Sequence, residues 1–150
     1  MSRPKFRCAA DWLKGTHMKL VIAEKPSVGN SIARMIGADR QRGDGFTSGN
    51  GYIVSWCFGH LVALSSPEEY DKRYAKPWKL SNLPIIPEEF RWTVAESTAP
   101  QFEKLKALME RPDVDEIICA TDAGREGECV FRYVYCQAGG TKPFKRLWIS

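Results

Sequence analysis

Two short apolar runs, residues 19–23 (Lys-Leu-Val-Ile-Ala) and 116–121 (Glu-Ile-Ile-Cys-Ala-Thr), constrain the fold more than any other feature. Each is rich in β-branched residues, too short for a buried helix, and bounded by charged or turn-forming residues. That is the pattern of a strand buried on both faces. Each also leads into a helical pattern. Pro26 and Ser27 suit a helix start, and Val28, Ile32, Met35 and Ile36 form an apolar face that ends at Gly37. The stretch from 126 to about 138 is a second helix, closed by Gly139-Gly140. Apolar strands alternating with helices predict an α/β domain, a mainly parallel central sheet flanked by helices.

Between these units, residues 37–45 read as a polar loop. Residues 46–48 and 52–58 flank Gly49-Asn50-Gly51, a strong hairpin signal. From 59 to 88 the chain reads as irregular, punctuated by Pro67, Pro77, Pro84 and Pro87, with a short helix around 67–74. A strand is expected over 90–95 and a helix over 100–111, with Phe102, Leu105, Leu108 and Met109 on one face. A last strand is expected over 145–149. Residues 1–17 lack this patterning and are expected to be a leader, vector-derived or disordered, with the domain proper spanning 18–150. A native basic arm is the alternative.

Composition excludes more than it identifies. The chain is 43% hydrophobic and 27% charged, near the average of a globular domain, and has no apolar run approaching the roughly 20 residues of a membrane span. Its five cysteines are odd in number and show no CxxC spacing, which favours free thiols in a reducing compartment over disulfides or a zinc site. The formal charge of +4 does not mark a polyanion binder. Four basic residues and one acid fall in 1–17, so the remainder holds 18 basic and 17 acidic residues.

Ligands of open α/β sheets gather at the carboxyl ends of the strands, and here both strand ends carry unusual residues. The first ends in Glu24-Lys25, which as a bland alternative merely terminates an apolar run. The second enters Asp122-Ala123-Gly124-Arg125-Glu126-Gly127-Glu128. Acids near a helix start suit its dipole, but the dipole does not account for a turn combining Asp122, two glycines and Arg125. Oxygen-only ligation of a hard cation does, with Asp122, Glu126 and Glu128 as candidate ligands of Mg²⁺ shared with phosphate. If both ends face one crevice, Glu24 joins the acids. Crowding then favours one protonated carboxyl as a general acid, with Lys25 and Arg125 binding phosphate.

Four segments together resemble one family. Leu-Val-Ile-Ala-Glu-Lys-Pro-Ser (20–27), Phe-Gly-His-Leu (58–61), Ala-Thr-Asp-Ala-Gly-Arg-Glu-Gly-Glu (120–128) and Arg-Leu-Trp-Ile-Ser (146–150) look like the Toprim domain of bacterial type IA DNA topoisomerases, topoisomerase III branch. The resemblance covers 18–150 and keeps the family's motif order. It implies an enzyme that cuts one DNA strand with a tyrosine, holds a 5′-phosphotyrosine link, passes a second strand and reseals. The family's glutamate matching Glu24 assists proton transfer to the leaving 3′ oxygen, the lysine matching Lys25 stabilises the scissile phosphate, and the acids matching Asp122 and Glu126 hold Mg²⁺, with Glu128 expected just outside these ligands. The usual signature has a second aspartate where this chain has Gly124, so one weakly bound Mg²⁺ is expected rather than two.

The resemblance further implies a fragment of a larger enzyme, bacterial, cytoplasmic and nucleoid-associated, whose partners are single-stranded DNA and the remaining domains. The family's nucleophile lies beyond this segment. Tyr52, Tyr70, Tyr74, Tyr133 and Tyr135 match no nucleophile and are expected to pack, and the isolated chain is expected not to relax DNA. His60 is a structural residue or a contact to DNA or an acid. Among the tryptophans, Trp56, Trp92 and Trp148 are expected in the core. Trp78, amid Lys72, Arg73, Lys76 and Lys79, is the candidate stacking platform, with Lys76 and Lys79 tracking phosphate, unless this is simply a solvated loop. Rival readings are a Toprim primase or nuclease using the same acids, and a non-catalytic nucleic-acid-binding module.

Overall fold

Sequence periodicity becomes sheet and helix in the expected alternation. A computed structural model describes residues 17–148; residues 1–16, with most of the expected leader and Trp12, lie outside the described residues, as does the end of the last expected strand. The chain runs β1 (Met18–Ala23), α1 (Pro26–Ile36), β2 (Gln41–Gly43), β3 (Phe46–Gly49) and β4 (Tyr52–Trp56). It continues through β5 (Val62–Leu64), α2 (Pro67–Tyr70), β6 (Trp92–Val94), α3 (Ala99–Glu110), β7 (Val114–Ala120), α4 (Arg125–Gln137) and β8 (Phe144–Arg146).

Six strands form one sheet in the order β2-β3-β4-β1-β7-β8. The first apolar run is its central strand, parallel to β4 on one side and β7 on the other, and β7 is parallel to β8. The β2-β3-β4 meander is antiparallel. The sheet is thus mixed but largely parallel, flanked by helices as expected.

Alternation along β1 divides the core. Leu20 and Ile22 face a large cluster with Ile53, Ile117 and Cys119, covered by Phe102, Leu105, Leu108 and Met109 of α3 and by Val130, Phe131 and Val134 of α4. Val21 faces the other side, with Val54, Ala120 and Ala33 of α1. Parallel excursions that move in opposite directions along a sheet cover opposite faces when both are right-handed. The path from β1 to β4 through α1 and the path from β7 to β8 through α4 do so. The hairpin signal at 49–51 is a turn in which Asn50 and Gly51 both take positive φ, 50° and 78°, the geometry that matches strand twist. The Asn50 amide also donates to the Ile36 carbonyl at 2.9 Å, tying the turn to the end of α1.

Several expectations are corrected. Part of the loop expected over 37–45 is the edge strand β2, all of it exposed, which alternation could not reveal. The stretch expected to be irregular contains β5, which pairs with β6 as a separate two-stranded ribbon closing the base of the 65–91 excursion. The helix expected around 67–74 is α2 followed by a 3₁₀ turn at Lys72–Tyr74. The last strand ends at Arg146, so Trp148 is 67% exposed rather than in the core. Trp56 and Trp92 are half-buried, and Trp92 lies against the Tyr133 ring at 4.0 Å. Tyr52, Tyr133 and Tyr135 pack against the two clusters, while the Tyr70 hydroxyl accepts from the Arg91 amide at 2.7 Å. Among the described residues, no helix is long and apolar enough to cross a membrane.

Candidate active site

Because β1, β4, β7 and β8 are parallel, their carboxyl ends lie along one edge of the sheet, and the strand order reverses at β1. This is the switch point at which such sheets bind ligands. Among the described residues, the four sequence segments singled out above cover the carboxyl ends of these strands or the turns directly after them.

Main-chain bonds join them. The Cys57 amide donates to the Ala23 carbonyl at 2.8 Å and the Gly59 amide to the Glu24 carbonyl at 3.2 Å, fastening the end of β4 to the end of β1. The Leu147 amide donates to the Cys119 carbonyl at 2.9 Å, fastening the exit of β8 to β7. Across the remaining junction, Oε2 of half-buried Glu24 accepts the backbone N–H of Asp122 at 2.9 Å. The expected meeting of the two strand ends is this bond. Lys25, exposed, is the N-cap of α1 and carries its own extended backbone into Pro26.

The turn after β7 is held tightly. The Thr121 hydroxyl donates to the Gly127 carbonyl at 2.7 Å, and the Glu128 amide donates to the Gly124 carbonyl at 3.0 Å. At Gly127 the helix approaches the turn so closely that a Cβ would stand 2.3 Å from the Asp122 carbonyl oxygen and 2.8 Å from its nitrogen. Only glycine fits there. Gly124 is different: its backbone is extended and a Cβ would meet nothing within 4 Å. The place of the missing second aspartate is open space.

The acids themselves are arranged unequally. Asp122 and Glu126 are exposed, and His60 Nε2 lies 3.4 Å from Glu126 Oε1, so His60 is placed beside an acid. Glu128 is engaged on both oxygens, Oε1 by Arg132 at 2.7 Å and Oε2 by Arg146 at 3.2 Å. Among the described residues, no three His, Cys, Asp or Glu side chains are grouped as they would be around a cation. The donor chemistry here fits Mg²⁺ as that ion is usually held, by one or two carboxylates completed by water and phosphate. A three-carboxylate cage does not match this arrangement.

Arg146 is the site residue that sequence reasoning missed. In sequence it stands only as part of a motif, yet its Nη1 donates to Thr121 Oγ1 at 2.8 Å and to Cys119 Sγ at 2.7 Å, and its Nη2 donates to the Asp122 carbonyl. Its Nε is buried without a partner among the described residues. The signal available in sequence was an arginine at the end of the last parallel strand, level with the acidic turn.

The other candidates are more loosely placed. Arg125 is exposed at the first position of α4, with no ion pair among the described residues. Lys76, Trp78 and Lys79 lie on the 65–91 excursion. Trp78 is 52% exposed, its Nε1 donates to the Tyr74 carbonyl at 2.9 Å, and Lys76 Nζ stands 5.5 Å from its ring centre. Among the described residues, none of the three shares a hydrogen bond or ion pair with the acids at the sheet edge.

Cys57 lies directly beneath the site, fully buried, and its thiol is pushed up to about 12, chiefly by burial and then by the charges of Glu24 and Cys119. A thiol so raised stays protonated where an exposed one ionises, and the thiolate is the nucleophile. At pH 8.5 under native conditions Cys57 is expected to resist iodoacetamide while exposed Cys136 is carboxamidomethylated within minutes, read by peptide mass spectrometry. Equal labelling of the two would contradict the burial described here.

A family profile described as Toprim domain matches residues 19–150. The chain is 51% identical over 132 residues to a DNA topoisomerase 3 of Shouchella clausii (strain KSM-K16), covering 88% of this chain and 18% of that protein. It is 51% identical over 131 residues to a DNA topoisomerase 3 of Bacillus thuringiensis (strain Al Hakam), and 50% identical over 131 residues to one of Bacillus licheniformis, each match covering 87% of this chain and 18% of the relative. The chain therefore spans about 18% of the length of the curated relatives it matches.

Proposed function

This chain belongs to the Toprim domain family and is homologous to bacterial DNA topoisomerase III; from that premise we propose that it supplies the acid and cation half of a type IA DNA topoisomerase, its residues 18–150 forming the Toprim domain of a longer protein. The observation that carries the proposal is the bond between the Glu24 carboxylate and the Asp122 amide, which unites the two motif-bearing strand ends at the switch point of the sheet.

On this reading a tyrosine supplied by another domain attacks a phosphorus of single-stranded DNA, the bond to the 3′ oxygen breaks, and Glu24 gives its proton to that oxygen. Lys25 and Arg125, at the starts of α1 and α4, offset the phosphate charge, and the two helix N-termini add to that offset. Asp122 and Glu126 would hold Mg²⁺, which when bound supplies Lewis-acid charge at phosphate for resealing. His60 orients Glu126. Lys76, Trp78 and Lys79 contact the single strand away from the cut, by phosphate attraction and base stacking. A topoisomerase working on nucleoid DNA in the bacterial cytoplasm accords with the thiol chemistry and with the bacterial relatives.

The test is made on the full-length protein with a single-stranded oligonucleotide and Mg²⁺, followed by rapid denaturation. A covalent adduct to the 5′ phosphate end of the cut strand is expected, together with relaxation of negatively supercoiled plasmid. Hydrolysed or extended oligonucleotide without an adduct would instead favour a nuclease or a primase, and plain binding without strand scission a non-catalytic module.

A further inference from the structure

Glu128 stands two residues beyond Glu126 in the first turn of α4, beside the acids assigned to the cation, yet both of its oxygens are taken by arginines from different elements. Arg132 reaches it from one turn further along α4, the favourable glutamate-before-cation spacing on a helix. Arg146 reaches it from the end of β8, and the same guanidinium holds Thr121 and the Asp122 carbonyl. The Arg146 side chain is only 18% exposed, whereas that of Glu126 is 83% exposed. Two of the three neighbouring acids are thus open to solvent, and the third is neutralised from two sides.

We propose that Arg132 and Arg146 act as internal counterions that hold Glu128 out of the cation site, so that the acidic turn offers a divalent ion two carboxylates and binds it weakly until phosphate joins. This rests on the reading of the turn as a cation site. A carboxylate that is bridged by two guanidinium groups has little remaining capacity as a ligand. Releasing it adds a full negative charge and a hard oxygen donor within the same helical turn as Glu126. A cation held too tightly by protein alone would be a poor partner for a phosphate that must bind and leave, so a masked acid keeps the site responsive to substrate. Arg146 is on this account a positioning residue, acting through Glu128 and the turn.

Mn²⁺ titration calorimetry on the 150-residue chain without DNA, with Mg²⁺ as competitor, tests the proposal. Arg132→Met lies on the exposed side of a helix and leaves the turn's other bonds intact; Arg146→Met removes the second bridge. Each is expected to tighten Mn²⁺ binding, and the double variant to tighten it on the order of tenfold. Adding Glu128→Gln to the double variant is expected to return the affinity to the wild-type value. Unchanged or weaker binding in the arginine variants would overturn the proposal, since a merely structural Arg146 loosens the site when removed. A gain that persists with Glu128→Gln would also overturn it, as simple loss of positive charge. Absence of Mn²⁺ binding in the wild type and in every variant would be a different pattern, removing the cation reading of the turn and this inference with it.

Discussion

Glu24→Gln in the full-length protein is expected to abolish the covalent DNA adduct, a loss on the order of 10²–10⁴ in cleavage rate, while leaving the fold intact. The size follows from what a positioned general acid contributes. The intact fold follows from the geometry. Glu24 accepts the Asp122 amide through one oxygen, and the glutamine carbonyl can accept it equally. The substitution therefore removes the transferable proton and keeps the bond between strand ends. Glu24→Ala removes both, so its loss of cleavage should come with a lower melting temperature. Adduct on a denaturing gel and thermal unfolding by circular dichroism read the two effects separately. Near-wild-type cleavage by Glu24→Gln would remove Glu24 as the acid, and unfolding of that variant would remove the account of the bond.

The second large effect is expected at Gly127. Alanine in place of glycine inside a helix ordinarily stabilises by about 1 kcal/mol. Here the added methyl meets backbone at 2.3 Å, which no rotamer change relieves, and Gly127 is buried with its carbonyl already bound by Thr121. Gly127→Ala should accordingly destabilise by about 1–3 kcal/mol, as overpacking does. It should also displace the Asp122 amide from Glu24, visible as a shift of that amide resonance. Gly124→Ala, three residues earlier, is the matched control: its methyl enters open space from an extended backbone and should be near neutral. Urea unfolding of the pair decides the point; equal stability would mean that the helix does not approach the turn as described.

Much of the site was legible because its parts are strand ends, and strand ends are marked by the abrupt stop of an apolar run. Leu20-Val-Ile-Ala before Glu24 and Ile117-Ile-Cys-Ala before Asp122 predict both the strands and the edge at which they meet. What was not legible depends on partners. Gln41–Gly43 has no alternating face and is a strand only because β3 pairs with it. Val62–Leu64 is three residues long and owes its state to β6. Trp148 read as core because the last strand was expected to run three residues too far. Glu128 read as a candidate beside Asp122 and Glu126, set outside the ion's direct ligands by the family resemblance alone. Two arginines separate Glu128 from Glu126: Arg132, an i,i+4 pair that local spacing can suggest, and Arg146, whose approach from a distant strand no local pattern encodes.

The bond from Glu24 to Asp122 spans 98 residues of sequence, and this has a consequence for how the molecule comes to exist. Contacts between distant parts of a chain bear a large loop-closure cost and form slowly. The hairpin of β3 and β4 and the helices on either side can form from neighbouring residues, but the central strand acquires its second partner only when β7 arrives. Until then one half of the acid cluster has no other half. A nascent or partly unfolded chain therefore carries the motifs apart, and assembly of the candidate site is delayed to the step that completes the sheet.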